Sequence, residues 1–269
     1  MSNYIKIRRA LRTGGARLPR GGNQEPAGNT VNKYGKISST NTHIPAIFRE
    51  YDRALPKIRL VFSTGMQILR HKVRTLPVFR RSLSAGFGAE LDIRDSGQVL
   101  VVSHDMPGKR PVALERFFEA YASLDSRLPL ALNVKSCGLQ GKLSALTRKS
   151  GIRNYFVFDM AVPDGVEYLR RGLKIFTRQS EYEPAPAYYN KAGGVWLDEF
   201  NGPWIGLPVI RKHLRNSKKI CVVSPELHKR SFEKEWAGLK RIERELGRDR
   251  LMLCTDHPRQ AALYFNGND

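Results

Sequence analysis

Cysteine is scarce in this 269-residue chain: Cys137, Cys221 and Cys254 are the only three. None stands at metal-ligand spacing from another, and three thiols cannot build a disulfide framework. Each lies in or near an apolar run, so all three are expected to be reduced core thiols, which favours a reducing, cytoplasmic setting. Long apolar runs are missing as well. No stretch approaches the roughly 18 uninterrupted apolar residues of a membrane-spanning helix. The basic N-terminus lacks the apolar core of a secretory signal, and its Gly-Gly pairs and asparagines fit a transit peptide poorly. No phosphate-loop or dinucleotide fingerprint is found, and neither is a nucleophile elbow around a serine or cysteine. These absences exclude dinucleotide redox chemistry, zinc chemistry and acyl-enzyme hydrolysis as leading readings.

Acid is in short supply too. Lys and Arg total 46 against 25 Asp and Glu, a net charge of +21. Residues 1–65 hold 12 basic and 3 acidic residues, whereas residues 66–269 hold 34 and 22. The first segment is therefore the more basic per residue. Within it, residues 13–45 are rich in Gly, Asn, Ser, Thr and Pro without periodicity and are expected to be disordered. A short helix is expected at 46–60. We read residues 1–65 as a basic disordered extension, or as an upstream reading of a start that belongs at Met66. Its cations are not interleaved with aromatics on a regular face. The expected consequence is weak, salt-sensitive contact with anionic surfaces and no specific nucleic-acid binding.

From Met66 the pattern changes to alternating strands and helices. Strands are expected at MQILRH, AELDIR, LPLALNVK, YFVFD, KIFTR, GVWLD, KICVVS and LMLCT. The second turns back at Asp95-Ser96-Gly97 into QVLVVSHD. Helices are expected at about 75–85, 112–123, 139–149, 163–171, 207–215, 229–246 and 257–265, with a weak one after KIFTR. Strand-then-helix alternation implies parallel strands, and eight units imply an α/β fold of the closed (β/α)₈ type over residues 66–269. The runner-up is an open doubly wound sheet.

In such a barrel the chemistry lies at the C-terminal strand ends. Here they carry His71; Glu90 and Asp92; Asn133 and Lys135; Asp159; Arg178; Asp198; Ser224 and Glu226; and Thr255 and Asp256. Glu90 and Asp92 are two apart on a strand, so they share one face at about 7 Å. Two carboxylates in a low-dielectric cavity repel unless one is protonated or a cation lies between them. Mg²⁺ or Ca²⁺ answers that problem with oxygen ligands, to which Asn133 adds an amide oxygen. Lys135 falls on the same face as Asn133 and suits an anion bound there. His71 and His104 are the natural acid–base pair, and Asp105 either orients a histidine or caps a turn. His213 and His228 fall in helices and read as surface residues; His257 is ambiguous. A cation, two imidazoles, a lysine and an arginine suit phosphodiester cleavage.

The segment AELDIRDSGQVLVVSHD, residues 89–105, resembles the glycerophosphodiester phosphodiesterase and phosphatidylinositol-phospholipase-C-like superfamily. The shared pattern is a carboxylate pair in E-x-D form, a short connection, and then His-Asp. HKVRT, LALNVKSCGL, NYFVFD, RQSEYEP, VWLDEF, CVVSPEL and LMLCTDHP extend the resemblance, to a bacterial branch of that superfamily, over about residues 66–264. It implies a TIM-type barrel, a divalent cation held by Glu90 and Asp92, His71 and His104 as base and acid, and a glycerol-, lipid- or cell-envelope-derived phosphodiester as substrate. It also places Arg178, Glu181 and Glu183 on the substrate side, with Asp159 and Asp198 either joining them there or compensating for Asn133 at the cation. Two departures stand out. His-Arg-Gly is His71-Lys72-Val73 here, and the third-strand carboxylate is Asn133. The second gives the alternative reading: a catalytically weakened barrel that binds a phosphorylated ligand.

Overall fold

The structure is a computed structural model and describes residues 65–247 and 249–267. Apart from Gly65, the N-terminal extension and its expected helix at 46–60 lie outside the described residues.

Eight parallel strands follow one another around a ring: β1 (Gln67–Arg70), β2 (Gly88–Ser96), β5 (Leu130–Val134), β6 (Tyr155–Phe158), β7 (Phe176–Gln179), β8 (Gly194–Leu197), β9 (Lys219–Val223) and β10 (Leu251–Thr255). β1 pairs with both β2 and β10, which makes the sheet a barrel. The seam between β6 and β7 is closed by a parallel bridge from Val157 to Ile175 and by the Val157 N–H donating to the Lys174 carbonyl at 2.8 Å. β3 (Val99–Val102) and β4 (Val112–Ala113) form an antiparallel excursion from the end of β2. β2 starts beside β5 with no room for a side chain at residue 88: a Cβ there would meet the Pro129 carbonyl oxygen at 2.4 Å.

The helices are α1 (Leu76–Ser84), α2 (Leu114–Ser123), α3 (Gln140–Lys149), α4 (Val162–Arg170), α5 (Leu207–Arg215), α6 (Glu233–Leu246) and α7 (Pro258–Asn266). Proline opens α1, α4, α5 and α7 in the first turn, where its missing N–H costs nothing. The crossover from β7 to β8 holds only a 3₁₀ turn, Tyr189–Lys191, in place of the weak helix expected there. Pro184 and Pro186 in that short crossover remove two N–H donors and disfavour helix before each of them. None of the helices among the described residues is long and apolar enough to cross a membrane.

Alternation along the strands sorts side chains into two layers. Ala89, Leu91, Ile93, Leu130, Leu132, Val134 and Val157 pack outward in one apolar cluster with the helices. Leu69, Ala131, Phe156, Phe158, Phe176, Trp196, Cys221, Val223, Met252 and Cys254 fill a second cluster inside the barrel. Phe156 stacks on Phe176 at 3.8 Å and Phe158 on Trp196 at 4.0 Å between ring centroids. Continuing the inward parity toward the C-terminal ends gives His71, Glu90 and Asp92, Asn133 and Lys135, Arg178, and Asp198. An aromatic floor thus lies beneath a ring of polar groups.

Three sequence expectations need correction. Cys137 is exposed rather than a core thiol, because it follows the end of β5 in a loop; Cys221 and Cys254 are buried and free, as expected. His213 is buried, not on the surface. It sits one helical turn from Ile210 on the inner face of α5, between the Tyr189 hydroxyl at 2.9 Å and the Gln179 side-chain oxygen at 2.8 Å. Burial, with the Lys212 and Lys218 charges, pushes its pKa down to about 4, so its imidazole is neutral. His228 ends a 3₁₀ turn, Pro225–His228, and turns toward the barrel mouth, where it meets Asp198.

Candidate active site

Glu90 and Asp92 are only 2% and 3% exposed. Their strand neighbours are fixed by register: Glu90 lies beside Ala131 and Asp92 beside Asn133. The Lys72 backbone N–H donates to Glu90 Oε2 at 2.7 Å, and the Asn133 side chain also hydrogen-bonds to Glu90. Desolvation and then the Asp92 charge push Glu90 up to about 7, against the pull of His71 and these two hydrogen bonds. Among the described residues, Asp92 Oδ2 and Asn133 Oδ1 are buried without a hydrogen-bond partner. A buried acceptor left unpaired costs about 1–3 kcal/mol, so two side by side, next to a repelling carboxylate pair, mark a place built for something else.

His71 follows β1 directly. Its Nδ1 lies 2.9 Å from Asp256 Oδ1. A carboxylate only accepts, so Nδ1 carries the proton and Nε2 is left as the basic nitrogen. Burial lowers the His71 pKa, but the Asp256 hydrogen bond and the Glu90 and Asp256 charges outweigh it and hold it above the ordinary value. Asp256 in turn lies below the usual carboxylate range, chiefly through that same bond. Its N–H donates to Glu226 Oε1 at 3.1 Å, and Glu226 also takes the Ser224 and Thr255 hydroxyls. Asp256 was legible only as one more polar strand end. Its role in orienting His71 needs the closure of β10 onto β1, which no local pattern reveals.

His104 lies beyond β3, tied to the end of β2. The Ser103 N–H donates to the Asp92 carbonyl at 2.9 Å, and Arg94 Nε donates to the His104 carbonyl at 3.1 Å. His104 Nδ1 is 2.8 Å from Asp105 Oδ1, so this imidazole too presents Nε2. Asp105 is held low by the His104 hydrogen bond and charge, and it also feels Arg74 and Lys72. Lys72 adjoins His71 in sequence, and its charge reaches Asp105 beside His104. The chain segments that carry His71 and His104 thus both adjoin β2, the strand of the acidic pair.

The rest of the rim is a chain of alternating charge on successive strands. Lys135 Nζ is 3.5 Å from Asp92 and 3.8 Å from Asp159; Arg178 is 3.0 Å from Asp159 and also pairs with Glu183. Arg178 lies over the Phe200 ring at 5.9 Å. Asp198 meets His228 at 2.5 Å, and its own burial raises it. Glu181 stands apart: its carboxylate accepts the N–H groups of Phe200, Asn201 and Gly202 at 3.1, 2.9 and 3.3 Å. Burial raises Glu181, and these bonds overcome it.

Two carboxylates and an amide oxygen, with Asp92 Oδ2 and Asn133 Oδ1 left unpartnered, fit a hard, oxygen-preferring cation. They do not form a cage of ionisable ligands: no three His, Cys, Asp or Glu side chains cluster for a metal among the described residues. The neutral Asn133 is the reason the set stops at two.

Solved structures with the same fold include a protein assigned as a glycerophosphodiester phosphodiesterase from Galdieria sulphuraria, at 16% identity and a TM-score of 0.60, covering 75% of this chain and 99% of that one. A glycerophosphoryl diester phosphodiesterase from Parabacteroides distasonis matches at 15% and 0.55, covering 77% and 88%. A phosphodiesterase from Oleispira antarctica, in complex with its product sn-glycerol-3-phosphate, matches at 13% and 0.52, covering 74% and 96%. At these identities the likeness is one of fold. No family model matches the chain and no curated protein matches it in sequence.

Proposed function

We propose that the chain is a metal-dependent phosphodiesterase that hydrolyses a glycerol-, lipid- or envelope-derived phosphodiester. The observation that carries this reading is the pair of orphaned buried oxygens, on Asp92 and Asn133, beside Glu90 and the Asp256-oriented His71. The fold likeness to structures of phosphodiesterases, one of them with sn-glycerol-3-phosphate bound, supports it.

Glu90, Asp92 and Asn133 would hold Mg²⁺ or Ca²⁺. When bound, the cation supplies charge neutralisation for the phosphoryl oxygens. His71 Nε2 takes the proton of the attacking water, and Asp256 stabilises the imidazolium that forms. His104, protonated, gives its proton to the leaving alkoxide. Lys135 donates to a non-bridging phosphoryl oxygen, where charge accumulates in the transition state. The substrate's leaving group lies toward β6–β8, bordered by Arg178 and Asp198. Glu181 serves that side indirectly, by fixing the turn at 200–202.

The second reading is a barrel that binds a phosphorylated ligand without turning it over, and Asn133 in place of a third carboxylate favours it. Release of nitrophenol from bis(p-nitrophenyl) phosphate in Mg²⁺ or Ca²⁺ separates the two. Hydrolysis lost on chelation and in His71→Ala supports the enzyme. Wild-type rates no faster than His71→Ala with either cation support the binder.

A further inference from the structure

Lys135 sits in an unusual place for a flexible, strongly hydrated side chain. Its ammonium lies 3.5 Å from one carboxylate and 3.8 Å from another, close enough for attraction to both and too far for a hydrogen bond to either. A lysine left beside a single buried carboxylate would close onto it. Here that would place the cation of Lys135 against Asp92, on one of the oxygens the acidic pocket needs. Asp159 offers the ammonium a second carboxylate at 3.8 Å.

Asp159 is itself fixed. Its backbone has φ +68°, a left-handed conformation that Asp and Asn tolerate and that most side chains avoid. Its other carboxylate oxygen accepts from Arg178 Nη1 at 3.0 Å, and Arg178 is braced in turn by Glu183. The order along adjacent strands is Asp92 on β2, Lys135 beyond β5, Asp159 beyond β6, Arg178 on β7 and Glu183 in the next loop. Each cation has an anion on both sides. Strained backbone at a strand end, held by a full set of charge partners, is what a positioning device requires.

We propose that Asp159 is a positioning residue, which suspends the Lys135 ammonium between two carboxylates so that its N–H groups stay free for an anionic phosphoryl group. Asp159 then acts on the ligand through Lys135, with Arg178 and Glu183 as its anchor. The inference rests on the proposed phosphodiester site for its ligand, and it holds equally for an enzyme or for a binder.

The test is a double-mutant cycle read in binding and, separately, in turnover. Calorimetric binding of sn-glycerol-3-phosphate with Mg²⁺ present is measured for wild type, Asp159→Asn, Lys135→Met and the double variant. Asn tolerates the left-handed backbone, and Asp159→Gly, which adopts it freely, is the second variant in case Asn disturbs the fold. The expected result is about 5- to 20-fold weaker binding in each single variant, from loss of one charge-assisted contact, and no further loss when Asp159→Asn is added to Lys135→Met. Binding unchanged in Asp159→Asn and Asp159→Gly overturns the inference. So does an Asp159→Asn loss that persists in full without the lysine. Failure of the hydrolase reading shows up differently, as wild-type binding without turnover.

Discussion

Glu90 and Glu199 are both glutamates buried near the C-terminal ends of their strands, at 2% and 4% exposure, and their surroundings are opposite. Glu199 follows β8, and one of its oxygens accepts the Trp204 and Ile205 N–H groups at 2.7 and 2.6 Å. It shapes the turn that leads into α5. Burial raises Glu199, and the two N–H bonds and the Arg230 charge work against that shift. Glu90 also accepts one N–H, yet it stands beside Asp92, within a group that includes two unpartnered oxygens. Burial of a carboxylate therefore says little about function. What separates the proposed site from the scaffold is like charge held together with acceptors left open.

That contrast breaks most sharply under substitution. Glu90→Gln and Asp92→Asn are expected to lower kcat for a phosphodiester by about 10³-fold or more, since both charge neutralisation and cation binding fail, with little change in melting temperature. Steady-state kinetics with a parallel thermal melt reads both. Next in size, Asp256→Asn is expected to reduce kcat by about 10- to 100-fold, since the imidazolium loses its counter-charge while His71 keeps a partner. A pH–rate profile checks this: its acidic limb, set by His71, moves to lower pH.

Glu199→Ala gives the mirror image. It strands two N–H groups at a cost of about 2–3 kcal/mol, which for a chain of this size is a fall of roughly 5–10 °C in melting temperature. Activity per folded molecule stays near wild type. If Glu199→Ala abolished catalysis without loss of stability, the division between the two glutamates would be wrong. The smallest expected effect is on pH. Glu90 is raised to about 7, so the folded state binds its proton more tightly than the unfolded state. Its contribution is complete below about 4.5 and fades as pH climbs through 7. Without a divalent cation, the melting temperature should drop by a few degrees between pH 5 and 8, and the drop should flatten in Glu90→Gln.

Much of this was legible in the sequence because the strands are short apolar runs cut by turns. The same parity that buries Ala89, Leu91 and Ile93 outward turns Glu90 and Asp92 inward, and this needed only the two-residue strand period. The crossover after β7 was less legible: YEPAPAYYNK carries apolar residues that suggest a weak helix, and its two prolines settle it as loop and 3₁₀ turn. His213 was missed because α5 is basic overall, although its spacing from Ile210 marks the buried face. The His71–Asp256 contact spans 185 residues and depends on ring closure, and the Lys135–Asp159–Arg178 chain depends on the order of strands around the ring. Neither leaves a local trace in the sequence.

The most direct measurement is anomalous scattering from a crystal soaked in Mn²⁺, a stand-in for Mg²⁺ with the same preference for oxygen. The account predicts one strong peak within about 2.0–2.3 Å of oxygens from Glu90, Asp92 and Asn133. A peak held instead by Asp159 and Asp198, or no peak at the Glu90–Asp92 pair at saturating Mn²⁺, would contradict it.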